Sequence, residues 1–280
     1  MLPEGMKFKL VWSDEFEGTA LDASKWSYRT NFWGKRASWF AAPEDGAVTV
    51  KDGCAHLRIV KRADGSYCSP QLQTGGLLWD ELDPKTGNGV VWPFRPRSAP
   101  KFLHRYGYYE CRAKAMKACV CNAFWLYDPL SDSEAKFRSG EFSDEIDVFE
   151  VFGAVGKDES LSLPCQRICH QTVHCLGTPY LEATCYGSVV TLPERTKSVP
   201  VPFDFWADYH IYGFLWTETD LVWFVDGKET FRRANDRFKR PMHVTFDCEI
   251  MFDWAGEPLA ADLPSVYCVD YFRYWKPAEL

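Results

Sequence analysis

The sequence predicts an all-β protein, a sandwich of two curved antiparallel sheets of the jelly-roll kind. Three observations predict it. Short apolar runs recur along the 280 residues, each closed by Gly, Pro, Asp or Asn. Within them apolar and polar residues alternate, as in Leu57 and Ile59 about Arg58 and in Tyr109, Cys111 and Ala113, the pattern of a sheet buried on one face. Heptads, longer repeats and long amphipathic helices are absent from the sequence. Many strands with few helices bury their apolar faces best as two stacked sheets. Residues 1–280 are read as one domain.

In order, KFKLVWS opens the chain as a strand, its apolar positions ending at the SDEF turn. GAVTVKDG and CAHLRIVKR are rich in β-branched residues and meet at Asp52 and Gly53. YGYYECRAKA and NAFWLYD carry the aromatic and small residues of central strands, and DEIDVFEVF follows with the same composition. QTVHC is a short strand, while YHIYGFLWT and DLVWFVDGKET form a hairpin turning near Glu218 to Asp220. MHVTFDCEIMF and YCVDYFRYWK close the set. Residues 81–100 and 176–204 are rich in turn formers and too long for hairpin loops, so they are expected to shape a cleft.

Composition narrows the function class. Apolar residues at 46% with 25% charged allow a real core. The formal net charge of −7 argues against a nucleic-acid partner, which clustered Lys and Arg would serve. No apolar run approaches the roughly eighteen residues needed to cross a bilayer, so no membrane partner is expected, and MLPEGMKFKL lacks a signal-peptide core. The 12 Trp include several near Gly and Pro turns, as in NFWGKRASWF and FDWAGEP, which suggests flat platforms for stacking a sugar. Eleven cysteines, an odd number, leave at least one unpaired. Cys111, Cys119 and Cys121 are expected to be buried free thiols.

The acids of EIDVFE, Glu145, Asp147 and Glu150, fit neither strand nor helix spacing. On a regular strand Glu145 and Asp147 share a face and Glu150 takes the other. One extra residue at Val148 or Phe149, a β-bulge, returns Glu150 to that face. The outer two Cα atoms would then lie roughly 13 Å apart, and side chains reaching inward leave a carboxyl gap compatible with the roughly 5 to 5.5 Å of a retaining glycosidase. Asp147 between them splits their pKa values through like charge. Three same-face acids on an apolar strand repel one another, which folding alone would not favour.

EIDVFE matches the E-x-D-x-x-E signature of glycoside hydrolase family 16, in its bulged form. LVWSDEFEGTALDASKW, YGYYECRAKA, NAFWLYD, YHIYGFLWTETDLVWFVDGKE and VDYFRYWK resemble that family in the same order. The resemblance implies an open substrate cleft and a retaining endo-hydrolase of β-linked polysaccharide. It implies Glu145 as nucleophile, Asp147 as assisting acid and Glu150 as general acid and base. Trp125 is similar to the family Trp beside the cleaved bond, Trp39 to an aromatic of the negative subsites, and His174 to a strand His facing the acids. The resemblance also implies a structural calcium, here at Asp270 with backbone of residues 14–18, no catalytic cofactor, a monomer, and a secreted, periplasmic or cell-surface location.

FDCEIMFDWAGEP is similar to the agarase, porphyranase and carrageenase branch, whose substrates are galactans; Glu249 and Trp254 are then candidate subsite residues. A laminarinase-like endo-β-1,3(4)-glucanase and a non-catalytic carbohydrate-binding protein are the rival readings, and a transglycosylase usually lacks the bulge. Lys35, Arg36, Arg95 and Arg97 are expected either to meet sulfate or to be solvated loop charges. Cys165, Cys169, His170 and His174 have loose zinc-like spacing, but strand alternation scatters the cysteines.

Overall fold

The computed structural model describes residues 2–28, 40–75, 99–128, 143–176 and 195–278. Strands are numbered along the chain. One sheet runs β15 (Lys228–Ala234), β14 (Asp220–Val225), β13 (His210–Trp216), β8 (Gly107–Lys114), β17 (Tyr267–Pro277), β4 (Cys54–Leu57) and β3 (Val48–Lys51). β1 (Phe8–Asp14) joins it along the second half of β17, beyond the part of β17 that pairs with β4. The other sheet runs β12 (Thr196–Pro200), β11 (Ile168–Leu176), β10 (Ser143–Phe152), β9 (Cys121–Tyr127), β16 (His243–Glu249), β7 (Gln71–Gln73) and β2 (Ser27–Tyr28). Every ladder in both sheets is antiparallel.

The core lies between the sheets because alternate residues of each strand point inward. Leu72, Phe124, Leu126, Val244 and Phe246 from one sheet meet Tyr109, Phe214, Trp223, Phe272 and Tyr274 from the other. Phe124 stacks on Phe246 at 4.7 Å, and Phe149 packs on Tyr212 at 3.9 Å between ring centroids. Full burial of each such side chain contributes about 1.5–3 kcal/mol. Asp14 of the SDEF turn anchors the opening strand, accepting from Phe16 N at 2.9 Å and Trp26 Nε1 at 2.7 Å.

The structure departs from the sequence reading at local turns. DLVWFVDGKET is not one strand. Asp226 and Gly227, both with positive φ (49° and 75°), turn it into the β14–β15 hairpin, the backbone state that an Asp-Gly pair favours. CAHLRIVKR is split as well, its last part forming β5 (Val60–Lys61) in a small hairpin with β6 (Tyr67–Cys68). Within 176–204, expected to be loop, Thr196–Pro200 forms edge strand β12, ending in the Pro that an edge tolerates. A short helix, α1 (Glu159–Ser162), is capped by the Asp158 side chain on Ser160 N. Nine cysteines are buried free thiols, Cys111, Cys119 and Cys121 among them.

Gly153 ends the acidic strand in close contact with the chain beside it. Its N–H donates to Ala118 O at 3.1 Å, and a Cβ here would lie 1.8 Å from the Met116 carbonyl oxygen. Backbone cannot swing aside as a side chain can. Gly153→Ala is therefore expected to lower unfolding free energy by about 3 kcal/mol, the upper end of the overpacking range. A urea midpoint equal to that of the wild type would show that the approach is not so close.

Candidate active site

The register of β10 shows why its three acids share a face. Against β9, Asp147 pairs with Trp125 and Phe149 with Phe124, leaving Val148 extra; against β11 the shift falls between Asp147 and Glu150. This is a β-bulge at the expected place. Ile146, Val148, Phe149 and Val151 all lie in the intersheet core, so two consecutive residues point inward. Phe152 packs with a separate cluster containing Cys121, Ala123, Trp125 and Tyr127 on the opposite face. The parity of Glu145, Asp147 and Glu150 with Phe152 is thereby restored. From the facing sheet, Trp223 Nε1 donates to the Asp147 carbonyl at 2.9 Å, a bond across the core to the point where the ladder breaks.

Straight rows cross the open face of this sheet. Glu145 aligns with Tyr127 and His243; Asp147 with Trp125, Thr245 and Gln73; Glu150 with Ala123, Asp247 and Gln71. Along unbulged β9, Tyr127 and Ala123 are four residues apart, so the Glu145 and Glu150 rows lie roughly 13 Å apart on the backbone. Asp147 occupies the row between.

Electrostatics divide the acids. Burial, followed by the charges of Asp147, Glu145 and Asp247, pushes the Glu150 carboxyl well above the ordinary carboxylate range. The Cys121 thiol, 3.8 Å from Oε1, opposes this only weakly. Glu150 thus keeps its proton where an ordinary Glu has lost it. His174 Nε2 lies 3.1 Å from Asp147 Oδ2 and 3.8 Å from Glu145 Oε1. Burial alone would lower the imidazole pKa, but the contact with Asp147 and the charge of Glu145 outweigh it and hold the pKa above its usual value. Arg195 Nη2 meets Nδ1 at 2.5 Å.

That Arg195 contact also bears on metals. Glu145, Asp147 and His174 offer ligand atoms within 4.8 Å of one another. A guanidinium can only donate, so in the neutral ring Nδ1 accepts and Nε2 carries the proton, while in the charged ring both nitrogens carry one. No lone pair then faces the two carboxylates. The zinc alternative fails for a different reason: Cys169 lies in the intersheet core, while His170 and His174 lie on the other face of β11. Cys165 donates to Leu161 O.

Residues 91–277 match the family model described as "Beta-porphyranase A-D, GH16 domain". The chain belongs to glycoside hydrolase family 16. Among curated relatives, "Beta-porphyranase B" of Phocaeicola plebeius is 26% identical, the match covering 98% of this chain and 86% of that one. "Glucan endo-1,3-beta-glucosidase A1" of Niallia circulans is also 26% identical over 95% of this chain, which spans only 38% of that protein. In fold, the laminarinase from Rhodothermus marinus superposes with a TM-score of 0.70 at 22% identity, covering 99% of this chain and 100% of that one. The chain is thus a family 16 glycoside hydrolase with porphyranase and endo-1,3-beta-glucosidase relatives.

Other residues expected of a family 16 site fall in several places. Trp125 is nearly buried, its indole Nε1–H donating to Asp247 Oδ1 at 3.2 Å. Glu249 ends β16 on the same face as Asp247 and is also buried. Trp254 lies beyond β16, edge-on to Phe152 at 5.0 Å and to His170 at 4.8 Å; burial pushes His170 down to about 4. Trp39, Lys35, Arg36, Arg95 and Arg97 lie outside the described residues. Asp270 does not suit calcium as it stands. Its carboxylate is bonded by the Arg112 guanidinium at 2.7 Å, and near the 14–18 turn the Lys25 ammonium donates to the Ser13 carbonyl. A guanidinium on that carboxylate opposes a divalent cation at Asp270 itself.

Sequence reasoning passed over Asp247, Gln71, Arg195 and Trp223. Asp247 was within reach, since strand alternation from Glu249 puts it on the same face. The others carry no local signal.

Proposed function

We propose that this protein is a retaining endo-β-glycosidase that cleaves internal β-linkages of a galactan of the agar, porphyran or carrageenan type. The observation that carries the reading is the bulge, which gathers Glu145, Asp147 and Glu150 on one face while burial and like charge keep Glu150 protonated. In the first step a Glu145 carboxylate oxygen bonds to the anomeric carbon as the glycosidic C–O bond breaks, and Glu150 gives its proton to the leaving oxygen. Glu150, now ionised, takes a proton from water. The water oxygen attacks the anomeric carbon and releases Glu145. The charge of Asp147 helps keep the proton on Glu150, and Asp147 is held beside His174.

The chain's own carboxylates supply this chemistry, so no cofactor is required. Trp125, Trp254 and Glu249 are assigned to sugar contacts and Trp39 to a negative subsite, in a monomer acting as one domain. A polysaccharide does not cross a membrane, which places the enzyme outside the cell, secreted, periplasmic or on the surface. Among the described residues no helix is long and apolar enough to cross a membrane.

The porphyranase family model and the D-x-E of Asp247 and Glu249 favour galactan. Endo-β-1,3(4)-glucanase activity is the second reading, favoured by the glucanase relative at the same identity. Reducing-end release from agarose, porphyran, κ-carrageenan and laminarin decides between them. Release from a galactan, with product retaining the β-anomer at first appearance by proton NMR, is the expected result. Cleavage of laminarin alone overturns the galactan assignment, and binding without cleavage overturns the hydrolase.

A further inference from the structure

Asp247 is buried on the open face of the site sheet and holds two side chains at once. Trp125 Nε1 donates to Oδ1 at 3.2 Å and Gln71 Nε2 to Oδ2 at 3.1 Å. Both donors come from neighbouring strands, β9 and β7, so one carboxyl ties three strands together on this face. Across β9, Ala123 alone separates Asp247 from Glu150 in their row. The buried Ala123 methyl, in one cluster with Trp125, leaves a narrow gap between two acids whose backbones stand about 9.6 Å apart, two strand spacings. Trp125, one row above, overlooks that gap beside Asp147.

We propose that Asp247 is a positioning residue that fixes the Trp125 indole plane over the space between Glu150 and the β7 wall. The inference rests on the hydrolase reading only in giving that space to the sugar. An indole has one donor, and its ring plane is set once that donor has a fixed partner. Anchored at Nε1, the ring cannot flip away from its place beside the acids. Gln71 in turn pins the Asp247 carboxyl, so the anchor does not rotate. The charged and titratable groups around Asp247 are Glu249 and the Cys248 thiol on its own strand, Asp147 and Glu150 on β10, the Cys121 thiol on β9 and Tyr267 on β17. Burial, then Glu249, hold its carboxyl well above the ordinary range, against the two hydrogen bonds. A carboxyl kept partly neutral still offers each donor an acceptor oxygen.

The test uses Asp247→Ala and Asp247→Asn in the whole chain. Alanine removes the Oδ1 acceptor of the buried indole donor, and KM is expected to rise by about 10- to 100-fold while kcat falls less. The Trp125 indole proton–nitrogen resonance, assigned by its loss in Trp125→Phe, is expected to move in the alanine variant. Asparagine keeps an oxygen for Trp125, and a flipped Gln71 amide can accept from its NH2, so this variant is expected to retain both the resonance and KM. Asp247→Leu, nearer in volume, replaces the alanine variant if the cavity unfolds it. An unmoved resonance, or equal losses in the alanine and asparagine variants, overturns the inference. If the wild type cleaves none of the four glycans, the hydrolase reading falls instead, and the resonance still decides the role of Asp247.

Discussion

Glu150→Gln is expected to lower kcat on polysaccharide by roughly 10²- to 10⁴-fold, the range for removal of a general acid. Gln has the shape of a protonated Glu but no proton to give, so the loss reports proton transfer rather than fit. On an aryl glycoside whose leaving group departs without protonation, the first step should recover, and added azide should restore turnover in Glu150→Ala by replacing the activated water. The product would be the β-azide, since Glu145 still forms the covalent intermediate. Glu145→Gln should lose both reactions, and azide attacking directly in Glu145→Ala should give the α-azide. An identical response of the two positions to azide would refute the assignment of roles.

The raised carboxyl of Glu150 fixes the direction of the pH dependence. Catalysis needs its proton, so kcat/KM should fall as pH rises through the Glu150 pKa. Stability moves the same way. Between the unfolded value, about 4.3, and the raised folded value, the native state holds a proton that the unfolded chain has released. Unfolding free energy from this group therefore decreases as pH rises across that window and stays reduced above it. Glu150→Gln has no such loss. It should gain on the wild type in urea denaturation between pH 4 and pH 7, a less active protein that is more stable. A constant difference between the two proteins at those pH values would mean that Glu150 titrates normally.

What the sequence made legible follows the length scale of the physics. Alternation in Tyr109, Cys111 and Ala113 is a local consequence of the pleat, and those residues do lie in the intersheet core. The bulge was readable because three acids at 145, 147 and 150 are incompatible with an unbroken period of two. The Asp-Gly turn at 226 and 227 was equally local and was passed over, because the apolar run before it reads as continuing into Lys228. Short strands such as Gln71–Gln73 have too few residues to show a period. Trp223 bonding the Asp147 carbonyl, and Arg195 on His174, depend on chain separations of 76 and 21 residues. Only packing brings them together.

Arg240→Ala should be among the most destabilising single changes, and its cause is a pair of buried acids at the rim of the site. Asp128 is fully buried, and its Oδ2 is ion-paired with Arg240 Nε at 2.5 Å. Asp144, also buried, lies 3.3 Å from Arg240 Nη2 and 2.9 Å from Arg237 Nε. Asp128 N donates to the Asp144 carbonyl at 3.0 Å, so one guanidinium fork joins the ends of β9 and β10 beside Glu145. Removing one partner of a buried pair costs about 3–5 kcal/mol because the remaining charge stays desolvated. Exposed pairs contribute roughly 0–1 kcal/mol, so Arg232→Ala, which breaks the exposed Glu229 contact, is the matched control. Arg240→Lys should recover only part of the loss, since an ammonium cannot address two carboxylates through a planar fork. Urea midpoints of the three variants test this, with kcat followed on the same samples, because release of Asp144 also frees the residue that carries Glu145. If Arg240→Ala falls within 1 kcal/mol of the Arg232 control, water rather than Arg240 compensates those acids, and the rim does not hold the nucleophile in place.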